Sequence, residues 1–505
     1  MMIMRREGVT GIRRPRKNRQ ETAEPPSTWA EPFWERGDFT HTHHANATHS
    51  YWITHITSLV DTEVLHRDIL PYLNKLSFPT LQEVESVLPI EEKEITDDPE
   101  KIKDLLLRGY VWIRFSDRVL EGVLARAELD KSRAVSIPQE EFSVVGPKES
   151  FVESLTTNLN MVRKRLPIKE LQLQEFTVGT YSKTKVAVLY IDGVANEENV
   201  NTVLQRIKAI EFYQILDSSY ISQLITDNSN SIFPQMLDTE RPERVAAVLA
   251  EGSIVIMVDG SPHALIAPTT LVEFFSAFED YFINWQMASF FRIVRLFSVL
   301  FSILITPIYV AVVTYHYALI PTDLMVTLVT SRSIVPFPPI LEALILELTI
   351  ELLREAGARL PTKVGQTIGI VGGIVIGTAS VQAGLTSNVL LIFVALAALA
   401  SFTTPVYRMG NAIRLLRFPF LLFAQLWGLI GVAIAFIFVM GHLLRLTSLG
   451  RPYLEPIYPL RLKDLRDSFI RLPFNTQSHR PAYLQTQNKQ GLTPPWRQRP
   501  RDIDE

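Results

Sequence analysis

The residues in this chain best suited to chemistry fall into three groups, and each group admits a plain structural reading beside a functional one. The first is a histidine cluster, His41, His43, His44, His49 and His55, which holds half of the chain's 10 histidines. Imidazoles are good transition-metal ligands, but a metal centre also needs fixed geometry and outer-sphere support. The stretch HTHHANATHS is polar and reads as flexible, so no metal site is expected there. The second group is carboxylates and arginines inside an otherwise apolar stretch: Glu342, Glu347, Glu351, Arg354, Glu355 and Arg359. Charges at bilayer depth cost a few kcal/mol or more, so such groups must face protein or water. Glu351 and Arg354 are spaced i,i+3 and can pair on one helical face. Glu347, Glu351, Arg354 and Glu355 are therefore expected to form an intramembrane charge network. The third group is a glycine ladder, Gly365, Gly369, Gly373 and Gly377, recurring every four residues and so lining one helical face. In a membrane, small residues let helix backbones approach closely, which makes this ladder a candidate packing or pore-lining face.

Enzyme signatures are missing. The sequence has no glycine-rich phosphate loop with its lysine, no HExxH and no G-x-S-x-G. Zero cysteines exclude disulfides, zinc-thiolate and iron–sulfur sites and a thiol nucleophile. Asp259-Gly260-Ser261-Pro262 follows a strand pattern and reads first as a tight turn. Glu240-Arg241-Pro242-Glu243 reads as a helix start. No catalytic residue, cofactor or metal is expected.

The elements that must position these groups divide the chain sharply. A net charge of −3 and a pI near 6.4 give no pull toward nucleic acid. Mean hydropathy is +0.13 over 505 residues, so distribution must decide the class. Residues 1–50 read as a disordered basic tail; it has no apolar run to make a secretory signal, and its cations suit anionic lipid headgroups. Residues 51–135 read as a small α/β unit: helices, then a strand over Tyr110–Phe115, a turn at Ser116-Asp117 and a returning strand. Residues 138–290 read as a second α/β unit, with strands over Val186–Ile191 and Ser253–Val258 and a helix from Asn196. From 291 to 445 the character changes. Residues 296–322, 364–407 and 418–444 carry no Asp, Glu, Lys or Arg. A span needs ~20 apolar residues. The first and third stretches suit one span each and the middle one suits two, turning at 384–388. The charged segment before Val364 is a fifth span or a re-entrant helix. Charge bias is divided: Arg408, Arg414 and Arg417 prefer the cytoplasmic side, and so do Arg445 and Arg451, with one apparent span between them. Four to six spans are expected. The tail from 446 to 505 is rich in Pro, Arg and Gln and is expected to fray beyond Pro473. The fold class is thus an α/β N-terminal region of two subdomains followed by an α-helical polytopic transmembrane domain.

Several long motifs carry a resemblance. The run VPFPPILEALILELTIELLREAGARLPTKVGQTIGIVGGIVIGTASVQAGLTSN, preceded in order by GPKESFVESLTTNL, FPQMLDTERPERVAAVLAEGSIVIMVDGSP and EDYF, is similar to the A subunit of spore germinant receptors of the GerA type. The resemblance covers about 140–450 strongly and 75–135 more weakly. One departure is Val145, where the family usually has a basic residue. The resemblance implies a non-enzymatic subunit in the inner membrane of a dormant spore, its N-terminal half on the core side. It also implies a B subunit similar to an amino-acid transporter and a C subunit that is a lipoprotein. A nutrient signal would release ions through a homo-oligomeric channel, a role the glycine ladder also suits. The alternatives are a paralogue of the dipicolinate-release machinery, which tends to lack the first subdomain, and a small-solute transporter. The latter is disfavoured because no inverted repeats are visible.

Overall fold

The computed structural model describes residues 37–489, apart from 46–48, 76–79, 117–118, 130–137, 139–140, 142, 144, 361, 462–463, 465–467 and 474–478; for 362–371 it describes the backbone only. Residues 1–36, 490–505 and the Asp117 half of the expected turn lie outside the described residues.

Two five-stranded antiparallel sheets form the N-terminal half. The first holds β1 (Phe39–Ala45), β2 (Ser50–Ile56), β3 (Lys93–Thr96), β4 (Tyr110–Arg114) and β5 (Gly122–Arg126), in the order β1-β2-β4-β5-β3. The second holds β6 (Leu171–Val178), β7 (Thr184–Ile191), β8 (Leu237–Thr239), β9 (Ile254–Val258) and β10 (Ala264–Ala267), in the order β6-β7-β9-β10-β8. The second order is the first repeated five strands later. In each unit a helix with Pro at its first turn precedes the fourth strand: α3 (Pro99–Leu106; α1 is Leu70–Lys75 and α2 Leu81–Val87) and α7 (Pro242–Glu251; α4 is Leu155–Arg165, α5 Glu197–Lys208 and α6 Ser218–Ile225). The sequences correspond: Pro99-Glu100-Lys101-Ile102 with Leu105, Leu106 and Gly109, and Pro242-Glu243-Arg244-Val245 with Val248, Leu249 and Gly252. Both glycines end the motif at positive φ, 85° and 103°, where a Cβ is disfavoured. Central strand β9 is buried at every position, as expected for a strand covered on both faces. Its Val255 and Met257 pack with Val162, Val245 and Leu249 on one side, and Ile254, Ile256 and Val258 with Val203, Ile207 and Ile221 on the other.

The first unit begins earlier than the sequence suggested. Residues 39–45 belong to β1, paired with β2 in the register His41↔Thr54 and His43↔Trp52. Stacking fixes this strand: the His41 ring lies 4.6 Å from Trp52 and nearly parallel to it, and His44 stacks on Tyr51. A polar composition concealed aromatic cross-strand pairs. The two units are joined by a buried ion pair. Arg163 on α4 reaches Asp38 at 2.7 Å, and Asp38 also accepts from Ser58 at 2.6 Å.

The C-terminal half is helical: α8 (Trp285–Tyr315), α9 (Thr322–Arg332), α10 (Pro339–Arg359), α11 (Thr362–Gln382), α12 (Asn388–Ser401) and α13 (Tyr407–Arg445). Among the described residues, α8 and α13 are long and apolar enough to cross a membrane. The turn between α11 and α12 falls where the sequence placed it, with Gly384 at φ 68° and Ser387 capping α12.

Residues 418–444 depart from the single-span reading. An unbroken α13 of 39 residues would run about 58 Å at 1.5 Å per residue. Instead both of its ends meet the second α/β unit. Arg408 pairs with Asp238 at 3.1 Å, and His442 shares a 2.9 Å hydrogen bond with Ser231. The chain reverses at Gly428, whose φ of 62° and ψ of −140° are not helical. Phe423 and Phe438, on opposite limbs, bring their ring centroids to 6.1 Å. α13 is therefore a helical hairpin. Its limbs are roughly 30 and 25 Å long, and it returns the chain to the side it left.

The tail departs as well. Arg480–Lys489 does not fray: Leu484 is fully buried, Asn199 donates to its carbonyl, and the Gln487 amide donates to the Val194 carbonyl at 3.1 Å.

Candidate functional site: buried ion pairs in the helical half

Four helices converge on one carboxylate. Glu347 of α10 accepts from Arg417 of α13 at 3.0 Å and from Thr306 of α8 at 3.1 Å. The guanidinium spends its other face on the Ser302 hydroxyl at 2.8 Å and the Ala397 carbonyl of α12 at 2.9 Å. Only 3% and 4% of the two side chains is exposed. The sequence allows this because α8 carries Ser302 and Thr306 one turn apart, on one face. Pro307 and Pro419 sit beside these contacts, inside α8 and α13.

A second buried carboxylate lies toward the start of α10. Glu342 accepts from Arg332 at 3.1 Å and from the Ser387 amide at 3.1 Å, so it sits at the N-terminus of α12, where a helix dipole favours an anion. The remaining candidates stand apart. Glu351 and Arg354 do pair, but at the surface, about a quarter to two-fifths exposed, and Glu355 pairs with exposed Arg359 at the end of α10. The expected four-residue network is thus three separate pairs. Its most buried member, Glu347, has a partner 70 residues away that no local spacing reveals.

The glycine ladder is positioned on α11. Gly365 and Gly369 lie where only the backbone is described. A Cβ added at Gly373 would meet nothing within 4 Å, and one at Gly377 would make ordinary contact with Leu391. The close intrachain approach falls instead on Gly372, off the ladder, 3.0 Å from Leu353 of α10. Among the described residues, none covers Gly373.

The junction between the halves is also charged. Asp280, almost fully buried, is held by Arg292 at 3.1 Å and Arg295 at 3.2 Å at the base of α8. Asp227 accepts from Arg206, from Thr447 and from the Gly450 amide, tying the end of α13 to the second α/β unit. The histidines of β1 form no ligand set: among the described residues no group of three metal-ligating side chains comes together. Burial, and then His44 and His66 nearby, pushes His55 down to about 4, so it stays neutral at physiological pH.

Two α/β units of one topology are thus fastened to a bundle of apolar helices with internal ion pairs. Residues 31–483 match the family model described as "Bacillus/Clostridium GerA spore germination protein", and the chain belongs to that family. It is 50% identical over 457 residues to spore germination protein GerQA of Bacillus cereus, covering 90% of this chain and 92% of that one. It is 50% identical to GerIA of the same organism, covering 88% of this chain and 66% of that longer protein. Spore germination protein KA of Bacillus subtilis is 36% identical, covering 86% and 81%. Among solved structures, the crystal structure of the N-terminal domain of the A subunit of the Bacillus megaterium spore germinant receptor GerK3 is 29% identical, with a TM-score of 0.37, covering 48% of this chain and 91% of that one.

Proposed function

We propose that this chain is the A subunit of a nutrient germinant receptor and that several copies form an ion-release channel in the spore inner membrane. Its α/β half would stand on the core side and work with a transporter-like B subunit and a lipoprotein C subunit. The germination role is carried by relatives that match most of the chain. The channel role is supported by the open face at Gly373 and by polar Thr378 on the same helix. Close packing through such a face needs a second helix, and none of this chain's described residues supplies one at Gly373. Force from the α/β half has a route into the bundle, because both limbs of the α13 hairpin are anchored to it.

The channel reading is tested with Gly373→Leu. The substituted subunit is expected to accumulate at the wild-type level, since a Cβ at this position meets no described atom within 4 Å. Nutrient-triggered ion release and cross-linking between copies should both fall by an order of magnitude or more. Unchanged release together with unchanged cross-linking would assign the ladder to lipid, and a receptor without a channel role, or a solute carrier, would take its place.

Topology gives a separate expected result. The native chain has no cysteine, so single introduced thiols report cleanly. Tyr213→Cys in the α/β half and Ile457→Cys after α13, both exposed, should label with an impermeant maleimide from one side of the membrane. Trp427→Cys at the hairpin turn should label from the other. Labelling of Ile457→Cys from the Trp427 side would mean that 418–444 crosses only once.

A further inference from the structure

We propose that the C-terminal segment Arg480–Gln487 is a proton-operated strap, seated on the second α/β unit when Glu273 is protonated and loosened when Glu273 ionises. This inference goes beyond the channel reading and does not depend on it.

The seat is made of four pieces. Leu484 is buried completely. Asn199 and Asn196, at the first turn and cap of α5, donate to the carbonyls of Leu484 and Gln485 at 3.4 and 2.8 Å. Thr486 is packed so closely over Gly252, the αL residue ending α7, that a Cβ there would collide with its methyl. At the other end of the segment, Arg480 donates to the Ala250 carbonyl at 3.0 Å. The strap thus bridges α5 and α7, helices that lie on opposite faces of the second sheet. Its chain continues back to α13 through Tyr453, whose hydroxyl donates to the Pro234 carbonyl at 2.6 Å, and through Arg451, bound to Asn199 at 2.9 Å. Upstream of the strap, the Arg471 guanidinium donates to the Ile283 carbonyl at 2.6 Å, just before α8.

Glu273 lies beneath this strap, in the short 3-10 turn Leu271–Phe275, and is hydrogen-bonded to Tyr483 of the strap and to Thr270. The ionisable groups facing it are Arg244 of α7, the phenols of Tyr453 and Tyr483, and, around Tyr483, Glu251 and Tyr281. Arg244 is the only cation among them, and its charge is already committed to Glu141 at 2.6 Å. Burial therefore dominates: it raises the Glu273 carboxyl to about 7, against the lowering by Tyr483 and Arg244. The seated form, in which the carboxyl is half-buried beneath Tyr483, holds its proton more tightly than a carboxyl released to water. Seating is favoured at acidic pH and is lost as pH rises through 7. With an ordinary carboxyl value for the open form, a one-proton linkage makes strap opening about tenfold more favourable at pH 8 than at pH 6.

The test uses the full-length chain in detergent or vesicles. A thiol at Leu484→Cys is labelled with maleimide at pH 6 and pH 8. Its rate is divided by that of exposed Tyr213→Cys, which removes the intrinsic titration of the thiol. The ratio should rise about tenfold. With Glu273→Gln added it should be the same at pH 6 and pH 8 and no higher than the wild-type pH 6 value. Because Leu484→Cys removes part of the seat, hydrogen exchange of the 484–487 amides in the otherwise native chain, divided by that of an exposed loop, should show the same rise and the same loss in Glu273→Gln. A constant ratio across this range in both measurements, or an equal rise in Glu273→Gln, overturns the proposal.

Discussion

Arg417→Met is expected to stop the protein accumulating in membranes, whereas Glu351→Ala and Arg354→Ala leave its level close to normal. The difference follows from burial. Removing Arg417 leaves the Glu347 carboxylate with Thr306 as its remaining described hydrogen-bond partner in a site closed by four helices. Breaking a buried pair by deleting one partner costs about 3–5 kcal/mol, a large part of a domain's stability. Glu351 and Arg354 are both partly exposed on the surface of the bundle, so losing their pair strands no fully buried charge and should cost at most about 1 kcal/mol. Glu347→Ala should resemble Arg417→Met, because Arg417 would then be the unpaired ion. The double substitution Glu347→Leu/Arg417→Met should restore accumulation substantially, because apolar replacements of a buried pair are often neutral or better. Subunit level in spore membranes and thermal unfolding in detergent are the measurements. If Arg417→Met accumulates like Glu351→Ala, water reaches the Glu347 site and its burial is not what holds the bundle. If the double variant fails as badly as the singles, the pair has a role that packing cannot replace.

That contrast also shows where sequence reasoning reached its limit. The i,i+3 spacing of Glu351 and Arg354 is visible in the sequence and their pair does form, but local spacing carries no information about burial. The Glu347 partner comes from another helix, so only a three-dimensional arrangement could name it. Strands were more legible. Val186–Ile191 and Ser253–Val258 are runs of β-branched and apolar residues bounded by Asp-Gly, and both are strands within one or two residues of that reading. The repeat was legible too and was missed. The Pro-Glu-basic-aliphatic start and the glycine ten residues after the proline recur from 99 to 242, a period longer than the usual search for repeats covers. Strand β1 hid behind histidines, which read as polar but stack like aromatics on Trp52 and Tyr51. The strap hid behind a Pro- and Gln-rich composition, since one buried leucine is too weak a signal to overturn it.

The hairpin at Gly428 had a signal of a different kind. Within 418–444 nothing in hydropathy separates one long helix from two antiparallel limbs, because both are predominantly apolar and carry no Asp, Glu, Lys or Arg. The charges outside it did carry the information. Arg408, Arg414 and Arg417 before the stretch and Arg445 and Arg451 after it favour the same side, a conflict for one span and the natural result for a hairpin.

Glycines test that hairpin most directly, and Gly431→Ala should be far more damaging than Gly441→Ala in the same limb. At Gly431 a Cβ would sit on the Phe423 carbonyl of the opposite limb, and backbone cannot move aside as a flexible side chain can. The limbs would have to separate, pulling Ala424 and Ala435 out of the packed layer they share with Phe420 and Val432. Overpacking of this kind costs about 1–3 kcal/mol or more. At Gly441 a Cβ meets nothing within 4 Å, and alanine there gains up to about 1 kcal/mol of helix propensity. Gly428→Ala should fall with Gly431→Ala, since its φ of 62° disfavours a side chain and its Cβ would press 2.9 Å from His316 Nε2. His316 and Tyr315, from the end of α8, clasp the turn from outside: Leu429 donates its amide to His316 at 3.4 Å, and Tyr315 donates to the Gln425 carbonyl at 2.6 Å. Thermal unfolding of the purified subunit should rank Gly441→Ala at or above wild type, with Gly431→Ala and Gly428→Ala several degrees or more below it. A straight helix through 428 would erase that order, because alanine would then strengthen all three positions alike.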